Sequence, residues 1–423
     1  MTNLAHQIRL DPTAPQAAAL LQACGCARFT WNLIVAQARI EYEQTGKSPN
    51  PNELKRDFNS WKAELHPWLL ESCKDANQQP FSNFKKAMQG FFKHGRGKPR
   101  FKKKGIHESF YISNDKFRLV GRSVLIPKVG WIRLAEQLRF PKETRILSGS
   151  VSLRAGQWHL SVSCELPAGY SRQTKPHLVA RIGIDLGLTT FAVTSEGETF
   201  EAPKPLRRYL KHLARLQRKL SRKLRDSKNR VKARLRVQKL YLRISNIRKD
   251  YLQKLSTSLL RENQTIVIED LAVSNMVKLR SLARALGDVS FAEFRRMLLY
   301  KAELYGSTVI LADRFFPSTK LCSSCGNCKK AMLLSDRVYS CEACGLEIDR
   351  DLNAAINLKQ YKGINGAVSP EVLEAIEDPA PKKSKSPSEK VALAATVVAT
   401  KLSSMMQEPV GITCDHKKGS RSL

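Results

Sequence analysis

The sequence is short of acid. Its 423 residues carry 38 Asp+Glu against 72 Lys+Arg, a formal net charge of +34. Folding does not need such an excess, so a polyanionic partner is expected, either nucleic acid or an anionic membrane surface. Long apolar runs are also missing. The best, Val391 to Ala399, is Ala-rich and too short to span a bilayer. The opening MTNLAHQIRLDPTAPQ has no apolar signal core, so export is not expected. Nucleic acid is therefore favoured, no membrane partner is expected, and a cytoplasmic, nucleoid-associated place in a prokaryotic cell fits. A disulfide framework is lacking as well. Five of the 10 cysteines lie within Cys322 to Cys344, whereas a secreted framework would spread them through a small chain. Clustering in a reducing compartment points to metal. The scattered Cys24, Cys26, Cys73, Cys164 and Cys414 read as small buried thiols.

Hydrophobic residues make up 42% of the chain, enough for ordinary cores in two to four domains. Residues 4–10 alternate and stop at Asp11-Pro12, a short strand. Helical spacing from Pro15 to Gln44, and again near 52–65 and 80–94, predicts a helical insert. Short β-like runs follow the basic turn at 94–105: Ser109 to Ser113, Phe117 to Val120, Ser123 to Ile126, Ile146 to Arg154 and Trp158 to Glu165. They predict a small β-barrel or sheet. A new unit starts at Val179, where RIGIDLGLTTFAVTSEGE reads as a β-hairpin. Two antiparallel basic helices are expected over Lys204 to Arg261, turning at Ser227-Lys228-Asn229. Then come a strand at TIVIEDL, a helix over 290–306, a strand at Thr308 to Ala312 and a last helix from Asp351 to Tyr361. From Ser369 on, KKSKSPSEK and similar stretches predict a flexible basic tail.

Cys322-Ser-Ser-Cys325, fifteen residues, then Cys341-Glu-Ala-Cys344 is four-thiolate zinc spacing. Each Cys-x-x-Cys sets two sulfurs on one tight turn, and two such turns close a tetrahedron. A closed site of this kind is structural, and its zinc stabilises a segment too small for its own core. Cys328 competes as a ligand, but Cys325 pairs with Cys322 by symmetry with the second turn.

Three carboxylates stand out. Asp185 sits in an apolar strand, where an acid must be paired or metal-bound. Glu269 ends the apolar run Ile266-Val267-Ile268, and Asp351 begins the helix DLNAAINL with Asp349 as its rival. Taken alone, Asp351 reads equally well as a helix N-cap. Together the three can converge on one edge of a mixed sheet. Oxygen ligands without histidine suit Mg²⁺ or Mn²⁺, which activate water for phosphodiester hydrolysis.

GIDLGLTTFAVTSEG, IVIEDL, CSSCG…CEACG and DRDLNAAINL resemble the RuvC-I, RuvC-II, zinc-finger and RuvC-III motifs of the transposon-encoded TnpB (OrfB) family, compact relatives of the type V CRISPR effectors. The resemblance extends to CARFTWN and KPRFKKKG near the N-terminus. It implies an α+β multidomain chain: an N-terminal β-barrel (WED-like, 1–12 and 95–172) with a helical REC-like insert (13–94), then an α/β RNase H-like RuvC domain (173–317 and 348–366) with a zinc-ribbon insert (318–347), and the tail 367–423. It also implies an RNA-guided DNA endonuclease, with guide RNA from the element's right end, double-stranded target DNA beside a short motif, and a monomer in the RNA complex. Asp185, Glu269 and Asp351 take the catalytic metal-binding roles, Asp351 being chosen over Asp349 because it directly precedes the last motif's x-Asn-Ala. All three acids being present disfavours a guided DNA-binding repressor that no longer cuts. A transposase joining strands itself is disfavoured too, because no His-hydrophobe-His motif is present.

Arg215, Arg218, Arg222 and their basic neighbours read as an RNA or heteroduplex groove, since Asp226 is the only acid between Arg207 and Ile247. Arg100, Lys102 and Lys103 surround Phe101 in a patch suited to phosphate, or in a merely exposed loop. Lys74 and Gln78, four apart, are candidates for reading base edges, or are plain surface polarity.

Overall fold

The structure, a computed structural model, describes residues 3–362 except 139, 174 and 334. The predicted basic tail at 367–423 and Cys414 lie outside the described residues. Strand β1 (Asn3–Asp11) leads into helix α1 (Ala14–Thr45), where Gln16 accepts the Thr13 N–H at 3.0 Å and Gly46 ends the helix at φ 68°. Helices α2 (Pro51–Leu65) and α3 (Lys74–His94) follow, then strands β2 (Ser109–Ser113), β3 (Arg118–Val120), β4 (Ser123–Ile126), β5 (Gly130–Leu134), β6 (Arg145–Arg154) and β7 (Gln157–Glu165). All pair antiparallel in the order β2-β6-β7-β1-β5-β4-β3. The two edge strands, β2 and β3, are joined by one 3-10 turn at Asn114–Lys116, so the sheet's edges meet there. Along β7 the inward side chains Trp158, Leu160, Val162 and Cys164 alternate with outward ones. Trp158, Leu160 and Val162 share one core with Leu20, Ile34, Phe58 and Phe81 of the helices.

Three local expectations change. Helix α3 begins at Lys74, six residues before Pro80, which sits inside it at the loss of one backbone hydrogen bond. Strand β5 was hidden by Trp131, a large apolar side chain on its outer face (49% exposed), while Ile132 and Leu134 point inward. Helix α1, although interrupted by polar residues, is long and apolar enough to cross a membrane by length and composition. Its apolarity is accounted for by packing, since ten of its residues, including Leu20, Phe29 and Ile34, are buried.

The second half is built on strands β8 (Val179–Leu186), β9 (Ala192–Thr194) and β10 (Thr199–Phe200), the long helices α4 (Pro205–Ser221) and α5 (Lys228–Glu262), and strand β11 (Asn263–Glu269). Helices α6 (Val273–Met276), α7 (Arg280–Val289) and α8 (Phe291–Tyr305) precede β12 (Thr308–Ala312). The hairpin β13 (Val338–Ser340) and β14 (Glu347–Asp349) then leads into α9 (Arg350–Gln360). The sheet order is β10-β9-β8-β11-β12, with β8, β11 and β12 parallel. Strand β11 is buried on both faces, as parallel strands are. Ile266 and Ile268 join the core of α5 and α8, and Val267 packs with Leu358 of α9. Helices α6 and α7 were not anticipated. The second serves the basic hairpin, because its buried Asp288 accepts the N–H groups of Leu206 and Arg207 at 2.9 Å and so caps α4. Helices α4 and α5 pack on each other through Leu213, Val237, Leu240 and Ile244.

Candidate active site and zinc centre

Asp185 and Glu269 lie at the C-terminal ends of neighbouring parallel strands. Ile184 pairs with Ile268 in register, so the two acids are the next step along β8 and β11. Side chains alternate along a strand, so Asp185 shares a face with Gly183, and Glu269 with Val267. That face carries α9. Gly183 makes the approach possible: a Cβ there would lie 2.0 Å from the Ala355 oxygen and 2.3 Å from the Lys359 nitrogen. Ala354 and Ala355 are fully buried against the strand. Asp351, one turn before Ala355, is thereby brought toward Asp185.

Asp349 takes the capping role that Asp351 alone was equally suited to. Its carboxylate accepts the N–H groups of Asp351 and Leu352 at 2.9 and 3.0 Å. Burial is the largest cause raising the Asp185 carboxyl well above the usual range, followed by the charges of Glu269 and Asp351, with Arg350 opposing. Burial also raises Glu269, against a hydrogen bond donated by Ser318. A divalent cation relieves such crowded negative charge, and an all-oxygen donor set fits Mg²⁺ or Mn²⁺. The three carboxylates feel one another, Glu269 and Asp351 both acting on Asp185. Two of them hold protein partners: Glu269 accepts from Ser318, and Asp351 takes Arg350 at 2.9 and 3.0 Å.

The cysteine turns behave as their spacing predicts. Cys322 and Cys344 sulfurs lie 3.6 Å apart, as do those of Cys325 and Cys341, and all four fall within 4.8 Å. Gly326 and Gly345 occupy left-handed φ of 76° and 72°, and their N–H groups close the turns on Cys322 and Cys341 oxygens. Backbone N–H donation, chiefly from Cys344, lowers the Cys341 thiol to about 6. Four clustered thiols fit zinc. Cys328 is exposed and outside the cluster.

Sequence reasoning missed what joins the two clusters. Arg350 links Asp351 to the backbone oxygen of Asp336 at 2.9 Å, inside the cysteine segment. Asn353 bonds Leu321 O and Ser323 N, and Asn357 bonds Ser318 O and Leu321 O, all at 2.6–3.0 Å. Ser318 itself donates to Glu269. The signal was available as Asn353 and Asn357, four apart on one helical face after Asp351.

The expected nucleic-acid residues fall on three parts of the chain: α3, the loop at 95–108, and α4 with its C-terminal cap. Arg215 and Arg218 are exposed on α4, with Arg222 at its C-terminal cap. Arg100, Lys102 and Lys103 are exposed, but their loop is fastened to α1. Trp31 Nε1 donates to Arg100 O at 2.8 Å, Asn32 exchanges two bonds with the Lys102 backbone, and Lys102 Nζ stands 4.5 Å over the Trp31 ring. Lys74 is exposed at the start of α3, and Gln78 donates to Asn59 at 2.9 Å. One face over, Gln79, Asn83 and Lys102 line a cavity of about 210 Å³ between α1, α3 and the sheet.

Comparison with known proteins bears on the family and the fold. An OrfB profile described as "Probable transposase" matches residues 159–280, and a "Cas12f1-like, TNB domain" profile matches 291–358. A "Putative RNA-guided DNA endonuclease" of Streptomyces pristinaespiralis is 36% identical over 370 residues, 84% of this chain and 88% of that one. The chain belongs to the OrfB (TnpB) family. Another relative, the "Putative RNA-guided DNA endonuclease InsQ" of Escherichia coli K12, is 30% identical over 84% of this chain and 91% of its own length. The fold is shared with Cas12f1, seen in a complex with single guide RNA and target DNA: TM-score 0.52, 14% identity, 81% of this chain and 82% of that one. The OrfB match at residues 1–47, described as a "Helix-turn-helix domain", covers β1 and the single helix α1 among the described residues.

Proposed function

We propose that this protein is an RNA-guided, metal-dependent DNA endonuclease of a transposable element, cutting through a RuvC site made by Asp185, Glu269 and Asp351. One observation carries the reading: a buried Asp185, in the field of Glu269 and Asp351, at the strand ends of a chain with formal charge +34. Binding sites of open α/β sheets sit outside the carboxyl ends of strands. The names of the relatives in Streptomyces and E. coli support the same activity.

In this reading the three carboxylates hold Mg²⁺ or Mn²⁺, which would supply an activated water and stabilise the leaving 3′ oxygen. The chain's own residues do the rest. Ser318 and Arg350 orient Glu269 and Asp351, and α9 sets the distance to Asp185. Zinc on Cys322, Cys325, Cys341 and Cys344 keeps the segment that carries those contacts folded. Arg215, Arg218 and Arg222 hold a guide RNA from the element's right end, or its heteroduplex, by the backbone. Lys74, Gln78, Arg100, Lys102 and Lys103, on the REC-like insert (13–94) and the WED-like sheet (1–12, 95–172), meet the double-stranded target beside its short motif. The RuvC domain comprises 173–317 and 348–366, the zinc ribbon 318–347, and the complex is a cytoplasmic monomer.

The test uses the full chain with the RNA that copurifies with it, a supercoiled plasmid matched to that RNA, and Mg²⁺. Linear product supports the reading. A mobility shift without nicking would show the guided repressor instead.

A further inference from the structure

Phe315 is the most exposed large apolar side chain among the described residues, at 87%. It is not on a loose loop. Its N–H donates to Asp313 Oδ1 at 2.8 Å, and Phe316 N–H returns to Asp313 O at 3.0 Å. Phe316 turns inward onto Tyr361, ring centroids 4.9 Å apart, while Phe315 turns out. Both flanks are tied to the carboxylate site. On one side Ala312 is in register with Glu269, and Arg314 pairs with Asp270 at 2.7 Å. On the other, Ser318 bonds Glu269. Three residues of chain reach at most about 10 Å, so Phe315 is held within that span of the side chain that fixes an acid.

A solvent-facing ring carried on a hydrogen-bonded turn beside an acid site lacks a packing role. On its N-terminal side Asp313 and half-exposed Arg314 are polar, and on the other Phe316 turns inward onto Tyr361. An exposed aromatic face one residue along the chain from a half-exposed arginine suits a nucleobase and its phosphate. In a duplex the base faces are covered by their own neighbours, so only an unpaired strand offers one. Resting on the nuclease reading above, we propose that Phe315, with Arg314 beside it, is a base-stacking platform that holds an unpaired nucleic-acid strand at the carboxylate site.

The test measures binding of a short single-stranded oligonucleotide carrying 2-aminopurine to the full zinc-loaded chain, without added Mg²⁺, over a salt series. Phe315→Ala should weaken binding about 5- to 100-fold, the range of one base–aromatic stack. It should also relieve the quenching of 2-aminopurine and leave the slope of log affinity against log salt unchanged, because no phosphate contact is removed. Phe315→Trp should restore both affinity and quenching. Unchanged affinity in Phe315→Ala would overturn the platform, and so would a change in self-association with oligonucleotide binding intact. Because cleavage is not the readout, a chain that fails to cut plasmid yet shows the Phe315 effect keeps the platform and loses the nuclease.

Discussion

The four thiols and the three carboxylates are assembled in opposite ways. The thiols come from 23 consecutive residues, Cys322 to Cys344, and are drawn within 4.8 Å by two glycine turns that need little from the rest of the chain. The carboxylates come from β8, β11 and α9, across 167 positions from Asp185 to Asp351, and need a sheet register, a Gly183 contact and an Asn-rich helix face to meet. The local cluster also braces the distributed one, through Ser318 on Glu269 and Asp336 O on Arg350. A short motif builds the rigid piece, and the fold borrows it to hold acids that repel each other.

Removing the zinc site is the largest perturbation of that relation. Structural zinc contributes on the order of 10 kcal/mol of apparent binding free energy. Cys341→Ser or chelation should unfold the cysteine segment, loosen α9 and abolish plasmid cutting, while the buried strands β8 and β11 keep their hydrogen-exchange protection. Full cutting without zinc would separate the two clusters. Gly183→Ala comes next. Its Cβ meets backbone, which cannot swing away, so a loss of about 3 kcal/mol or more is expected in urea unfolding. An unchanged midpoint would mean that α9 does not approach β8 so closely. Asn357→Ala removes two bonds to the segment before the first thiol turn and should cost about 2 kcal/mol, read in the same titration. The smallest effect lies outside both clusters. Replacing Arg215, Arg218 and Arg222 together by Gln should leave stability unchanged and lower the salt slope of RNA binding by about three. A slope that does not move would place the RNA elsewhere.

Legibility in the sequence followed the same division. The cysteine pairs, with glycine after each, were readable because the geometry is local. The apolar strands around Asp185 and Glu269 were readable because buried parallel strands are continuous and short. What escaped was relational. Ser318 and Arg350 look like ordinary polar residues until the fold places them on Glu269 and Asp351. Asp288 caps a helix more than 80 positions before it, which no local pattern reveals. Trp131 hid β5 by sitting on the outer face, and Pro80 hid the true start of α3. Asp351 and Asp349 were distinguishable by resemblance alone, and the cap on α9 now gives Asp349 a separate task.

That separation offers the most direct test of the acid site. Plasmid cleavage by Asp351→Asn and Asp349→Asn, each as the full chain with its copurified RNA, a matched target and Mg²⁺, should give opposite results. The account predicts that Asp351→Asn binds the target without cutting it, while Asp349→Asn still cuts. Cutting by Asp351→Asn, or its loss only in Asp349→Asn, would contradict the site described above.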